Sequence, residues 1–327
     1  MMFELKELRA GKIDLHSHYL PPGYREALLK YAEPNPDGFP TPAWSAELHL
    51  EAMEHLGIAT SLLSLSSPHI HLGDRNAAKE LARSVNEYGA DLVRKYPGKF
   101  RLLASLPVPE TCDSIAEIKY ALEALHVDGF TLPTNVLGVY LGNPCLNDIF
   151  AELNMRKAIV ALHPNRPALV PEHVLEGLPA PMMEFFFDTT RTVMNLILTG
   201  TLSRFPGITF IVPHAGAFLP ILADRIAPAL HMMPSIFGEH MGDAGVDIYA
   251  SLKGLYYDLA GGCLPRQLGN LLQLVGTDHL LYGSDYPYTP DLACKSLADD
   301  LDSTDLLTDE ARGQIYCANA LRLFPGL

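Results

Sequence analysis

Short apolar runs rich in β-branched residues recur along this 327-residue chain at 12–18, 58–66, 101–107, 127–132, 158–163, 208–214, 254–259 and 279–284. Several are apolar throughout rather than alternating, which is the pattern of parallel strands buried on both faces. Helical periodicity fills the intervals. Asp74 stands where it can cap a helix whose Ala78, Leu81, Ala82, Val85, Tyr88 and Leu92 share one face, stopped by Pro97-Gly98. Asp188 or Thr189 is placed to open another through Val193, Leu196 and Ile197, ending near Gly200 and Pro206. Eight strands alternating with helices, without a linker, predict one α/β domain over residues 1–327, a (β/α)8 TIM-type barrel. A doubly wound open sheet is the competing arrangement, but no glycine-rich phosphate loop follows the first strand.

Two connections are long and proline-rich: residues 21–44 hold six prolines and residues 164–181 hold five. Loops of this length on a compact domain are expected to be lids or pocket walls. The first, with its flanks, predicts a lid-like insertion at about 19–57 over the C-terminal face of the barrel. The stretch 231–247 is a third candidate.

Composition narrows the function classes. With 24 Lys+Arg against 38 Asp+Glu the formal charge is −14, and no basic stripe offsets it, so a nucleic-acid partner is not expected. Cys112, Cys145, Cys263, Cys294 and Cys317 are scattered and never in C-x-x-C spacing. They read as thiols in a reducing compartment rather than zinc thiolates or disulfides. The opening MMFELKELRAGK mixes charges of both signs and does not read as a signal peptide, and no apolar run is long enough for a membrane span. The expectation is a cytoplasmic protein with no membrane partner.

The chemistry is concentrated at the ends of predicted strands. Ile13-Asp14-Leu15-His16-Ser17-His18 presents two histidines that share one side of an extended segment. The fifth and sixth strands end in His163 and His214, and Asp285 follows the eighth in Tyr282-Gly283-Ser284-Asp285-Tyr286-Pro287. A barrel gathers such ends at one face. Imidazole and carboxylate donors suit zinc, with manganese as the alternative, and leave a position open for water or substrate. Asp285 has two possible roles, ligand and proton carrier. His214 is its natural partner as general acid or base, a fourth metal-bound nitrogen being the other reading. His69 and His71 also have H-x-H spacing, but Pro68 and Gly73 mark a loop, and surface positions are expected, with lining of the pocket as the alternative.

The set IDLHSH, ALHP, IVPHAGAFLP and YGSDYP, in that order, resembles the amidohydrolase superfamily, in the group around aminocarboxymuconate-semialdehyde decarboxylase. γ-Resorcylate and 5-carboxyvanillate decarboxylases resemble the same group. TPAWS at 41–45, GVYLGNP at 138–144 and DTTRTVMNLILTGTLSRFP at 188–206 look like the 6-methylsalicylate decarboxylases within it. The resemblance implies one divalent metal held by His16, His18, His163 and Asp285, with His214 as acid/base residue. It also implies a homodimer, because Arg225, eleven residues beyond His214, matches an arginine that enters a neighbouring subunit's site to hold carboxylate. A surface salt bridge with Asp224 is the plainer reading of Arg225. Met232, Met233, Ile236 and Phe237 would permit an interface. Trp44, the only tryptophan, is a candidate cover for an aromatic ring, or a packing residue.

Two departures from the group's pattern carry meaning. No arginine lies between Arg25 and Arg75, which argues against a dicarboxylate substrate. The fourth strand ends Leu132-Pro133-Thr134-Asn135, without the lysine or acid that two-metal hydrolases use there, which favours one metal. The expected activity is metal-dependent, non-oxidative decarboxylation of a small hydroxyaromatic acid, with 6-methylsalicylate as candidate substrate. Hydrolysis of a lactone, ester or amide by metal-activated water is the competing enzyme reading. A non-catalytic metal-binding protein would instead show a saturated ligand sphere and no ligand-sized pocket.

Overall fold

The computed structural model describes residues 11–31, 35–171, 173–174, 176–232 and 246–327. Most of the loop candidate at 231–247, and with it Met233, Ile236 and Phe237, lies outside the described residues. Eight parallel strands follow one another in chain order around one sheet: β1 (Lys12–His18), β2 (Ile58–Ser64), β3 (Phe100–Ser105), β4 (Gly129–Pro133), β7 (Ile159–His163), β8 (Thr209–Val212), β9 (Tyr256–Asp258) and β10 (Leu280–Leu281). A small hairpin of β5 (Asn135–Val136) and β6 (Val139–Tyr140), not anticipated from the sequence, projects between β4 and β7. The last strand returns to the first: Leu15 N–H donates to Tyr282 O at 2.9 Å, and Asp285 N–H to His16 O at 2.8 Å. This is the (β/α)8 barrel.

Side chains from six barrel strands meet inside the ring. Ile13, Leu15, Leu62, Leu103, Ala161, Ile211 and Leu281 form one buried cluster with Cys317, Ala320 and Phe324 from the chain's end. Ile159 and Tyr256, the first residues of their strands, pack against it, so the C-terminal segment seals the end opposite the strand C-termini. A larger cluster lies between the sheet and its helices.

Strict alternation would put Ile13 and Leu15 on one side of β1 and His16 and His18 half a period out of step. The ladder resolves this with one extra residue: Asp14 pairs with Ser61 but Ser17 with Leu63. Three steps on β1 therefore match two on β2, a bulge that rephases the strand. The buried Asp14 carboxylate fixes it, accepting from His16 N–H at 3.1 Å, Ser284 N–H at 3.0 Å and Ser284 Oγ at 2.6 Å.

The helix Arg75–Lys95 forms as expected, with Asp74 accepting from Ala77 N–H at 2.8 Å and Ala78, Ala82, Val85 and Leu92 buried. Two other expectations are corrected. Pro22 opens a helix, Pro22–Tyr31, inside the stretch read as loop, because proline is tolerated in a helix's first turn. The helix assigned to an Asp188 cap starts earlier, at Glu184, and Asp188 is buried inside Glu184–Leu198. Its carboxylate is engaged by Thr134 Oγ1, by Asn135 Nδ2 at 2.8 Å and by Tyr140 Oη, so it ties the β5–β6 hairpin to this helix instead of capping it.

Candidate metal centre

His18 and His163 are the last residues of β1 and β7, and Asp285 follows β10. One potential ligand atom from each of His16, His18, His163 and Asp285 lies within 4.8 Å of all the others. Their polar surroundings determine which nitrogen faces inward. His16 Nδ1 donates to Asp258 Oδ2 at 2.8 Å, and His163 Nδ1 to the Pro164 carbonyl at 2.8 Å. Ser64 Oγ donates to Ser17 O at 3.0 Å, which leaves it to accept from His18 Nδ1 at 3.2 Å. Every Nε2 is thereby left with its lone pair pointing to the centre, beside Asp285 Oδ1 at 3.4 Å from His16 and 3.2 Å from His18. His16 Nε2 and His18 Nε2 are buried without a hydrogen-bond partner. Four converging acceptors are mutually repulsive unless a cation lies among them, and three imidazoles with one carboxylate suit a divalent transition metal.

Charge in the site follows from burial and the two carboxylates. Burial disfavours a charged His16, but without a cation among the ligands Asp258 and then Asp285 outweigh it and push its pKa up to about 10, so a metal ion would have to displace a proton from Nε2 to use that lone pair. Burial would likewise raise Asp285, yet its bonds to His16 and His18 hold it well below the ordinary carboxylate range. Burial, reinforced by the charge on His16, brings His214 down to about 4, so its imidazole is neutral at pH 7.

Two site residues sit in left-handed backbone, His214 at φ 54° and Asp285 at φ 61°. Such conformations are strained for residues with a Cβ and persist where surrounding bonds over-determine them. Asp285 Oδ2 accepts from Thr289 Oγ1 at 2.9 Å, its carbonyl from Thr289 N–H at 2.8 Å. His214 N–H donates to Asp258 Oδ1 at 3.0 Å, and its carbonyl accepts from Gln267 Nε2 at 2.5 Å. Asp258 thus joins a ligand to the candidate acid/base residue. It ends the seventh barrel strand, the position rule that found the histidines, and went unread only because no ligand motif surrounds it.

A cavity of about 380 Å³ opens over the centre, within the range that accommodates small-molecule ligands. His163, His214 and Asp285 form its floor, and Ser66, Tyr288, Thr289, Phe39, Met182, Phe185, Phe186 and Leu297 are among its walls. The ring of His214 stacks on Phe186, with centroids 6.0 Å apart. Thr134 and Asn135, after β4, turn to Asp188 and not to the ligand cluster.

The remaining candidates lie elsewhere. Trp44 is not part of the cavity lining. Its indole N–H donates to His49 Nδ1 at 3.0 Å and its ring stands edge-on to Tyr19, so the expectation of a ring cover gives way to packing. Arg225 is exposed on the helix Leu219–Met232, outside its own chain's cavity, and Asp224 accepts from Tyr249 Oη at 2.8 Å. His69 is not at the surface. It is 3 % exposed, its ring is 5.3 Å from that of His163, and burial lowers its pKa to about 3. The His71 side chain is also largely covered, with Nε2 3.7 Å from Glu110 Oε1.

Fold and ligand set together define a metal-dependent barrel hydrolase or lyase class, and the chain belongs to the amidohydrolase family, whose signature matches residues 13–326. It is 33% identical to the 6-methylsalicylic acid decarboxylase of Penicillium expansum over 321 residues, covering 97% of each chain. Among solved structures it matches an amidohydrolase II with TM-score 0.90 and 43% identity, covering 96% of this chain and 99% of that one. A dihydroxybenzoic acid decarboxylase from Polaromonas sp. JS666, with bound manganese and the inhibitor 2-nitroresorcinol, shares the fold at TM-score 0.79 and 21% identity, covering 96% and 97%.

Proposed function

We propose that this chain is a metal-dependent, non-oxidative decarboxylase of small hydroxylated aromatic acids, 6-methylsalicylate among them. The observation that carries the reading is the convergence of four lone pairs from His16, His18, His163 and Asp285 beneath an aromatic-walled cavity. Relatives that decarboxylate 6-methylsalicylic acid at this identity and coverage support the reaction class. His16, His18, His163 and Asp285 would hold a single divalent ion, zinc by the preference of its imidazole donors, with manganese, which the Polaromonas enzyme binds, as the alternative; it would supply Lewis-acid stabilisation of the negative charge that develops on the substrate.

The protein's own groups do the rest. The second-ring partners Asp258, Pro164 and Ser64 hold the three imidazoles in the ligating tautomer. Phe185 and Phe186 hold a substrate ring in place and keep water from the breaking carbon–carbon bond. His214 or Asp285, both unprotonated at pH 7, would take the proton that the substrate's hydroxyl gives up on binding and return it to the ring carbon as the carbon–carbon bond breaks and CO2 leaves. Substituting each separately and following deuterium uptake into the phenol product identifies the donor.

We further propose that the chain acts as one domain and in the cytoplasm. No helix among the described residues is long and apolar enough to cross a membrane. A homodimer is supported by the exposed Phe187, Phe218 and Ile221, the last of them one turn before the exposed Arg225 on the helix Leu219–Met232, from which that guanidinium would reach a substrate carboxylate in a neighbouring subunit's site.

The test is CO2 release from a panel of ortho-hydroxybenzoates by metal-analysed protein, with and without chelator. Chelator-sensitive release from 6-methylsalicylate is expected. Silence across the panel with metal bound sinks the decarboxylase assignment and brings lactones, esters and amides forward.

A further inference from the structure

We infer that the cavity is built for salicylates carrying a longer alkyl chain than methyl beside the carboxylate, an inference that rests on the decarboxylase reading above. Three observations point there. The first is chemical. Among the described residues no lysine or arginine lines the cavity, and beyond the metal floor Phe39, Pro181, Met182, Phe185, Phe186 and Leu297 outweigh the hydroxyl-bearing Ser66, Tyr288 and Thr289 in its wall.

The second concerns where the polar atoms are. Thr289 Oγ1 is bound to Asp285, Ser66 Oγ stands 3.4 Å from His163 Nε2, and Tyr288, its ring 5.6 Å from that of His18, has its hydroxyl within hydrogen-bond reach of Ser66. Hydroxyls therefore gather at the metal end and leave the opposite side apolar. A second ring hydroxyl placed there would lose its water without gaining a partner, whereas an alkyl group gains by leaving water.

The third is size. The cavity measures about 380 Å³. A one-ring acid bearing a methyl group fills roughly 200 Å³ at the packing density of protein interiors. The two proline-rich loops supply Phe39 and Pro181 to this space and brace each other beside it, where a Cβ on Gly38 would lie 3.3 Å from the Pro179 Cα. An alkyl chain longer than methyl would occupy that space and displace the water from it.

The experiment measures kcat/KM of the metal-loaded enzyme for salicylates bearing methyl, propyl and pentyl at the 6-position, with 2,6-dihydroxybenzoate alongside. Each methylene taken out of water is worth about fourfold in kcat/KM. The expected result is a rise of more than tenfold from methyl to propyl, with the dihydroxy acid at least tenfold below the methyl acid. Should the methyl acid react and the propyl acid react equally or more slowly, the inference is overturned while the decarboxylase reading stands. If no acid releases CO2, calorimetric binding of 3-methylphenol, 3-propylphenol and 3-pentylphenol decides the question without chemistry. Affinity that climbs with chain length upholds the apolar chamber even as the decarboxylase reading falls, and a flat series overturns it.

Discussion

Replacing Asp258 by asparagine tests whether the metal centre depends on the tautomer of His16. The carboxylate accepts three bonds, from His16 Nδ1 at 2.8 Å, His214 N–H at 3.0 Å and Ala260 N–H at 3.1 Å. An amide has only one accepting end. Turned to the two backbone N–H groups, it presents its NH2 to His16, which must then accept at Nδ1 and carry its proton on Nε2, where the ligand lone pair is needed. Turned the other way, it faces two buried backbone donors with a third donor, at about 1–3 kcal/mol for each group left unpaired. The first arrangement is less costly to the fold and worse for the metal. D258N is therefore expected to lose about ten- to a hundredfold in metal affinity, or about 1.4–2.7 kcal/mol. D258A leaves His16 Nδ1 free to find water, so it should bind metal more tightly than D258N although it is the less stable protein. Chelator competition gives the affinities and urea unfolding the stabilities. Equal metal affinity in wild type and D258N, or an order with D258A weakest, would refute the tautomer argument.

Other perturbations bear on the same architecture. H163A should lower both metal content and turnover about a hundredfold, read by elemental analysis and CO2 release on the same sample. A Cβ on Gly283 would stand 2.7 Å from the His16 Cβ and 3.1 Å from the Ala260 Cβ, so G283A is expected to cost about 1–3 kcal/mol in urea unfolding and to weaken metal binding with it. Acid should destabilise the fold through His49, which burial lowers to about 3. Its Nδ1 accepts from Trp44 and cannot do so when protonated. Between pH 6.5 and 3 the unfolded chain holds the extra proton, so stability is full above pH 6.5 and falls as pH drops, by about 2.7 kcal/mol at pH 4.5 for this residue alone. A urea midpoint that stays constant from pH 7 to 4.5 in wild type, or falls as steeply in H49Q, would count against this.

Much of the barrel was legible because buried parallel strands write themselves as continuous apolar runs, and because a barrel gathers strand ends at one face. His16, His18, His163, His214 and Asp285 could be read from that rule alone. What escaped notice has physical causes too. Asp188 looks like a helix cap, but polar partners from a distant hairpin claim its carboxylate, and three consecutive phenylalanines open the helix before it. Pro22 looks like a loop residue because proline both starts helices and breaks them. His69 follows a proline in a polar stretch, and only the closure of the ring around it makes that stretch interior. Asp258 and Ser64 act at second hand, by bonding to residues that carry motifs, and nothing local to them announces the task.

The bulge in the first strand has a consequence for how this protein tolerates change. Asp14 and Ser17 can each be substituted with graded losses, since each contributes its own bonds. Removing a single residue there is different in kind. It would restore unbroken alternation, so that whichever of the two pairs kept its place, Ile13 with Leu15 or His16 with His18, the other would face the helices. Either the floor of the barrel or the metal centre would be lost whole. Catalysis in this chain thus depends on a count as well as on identities: insertion or deletion here acts as an on–off switch where substitution acts as a dial.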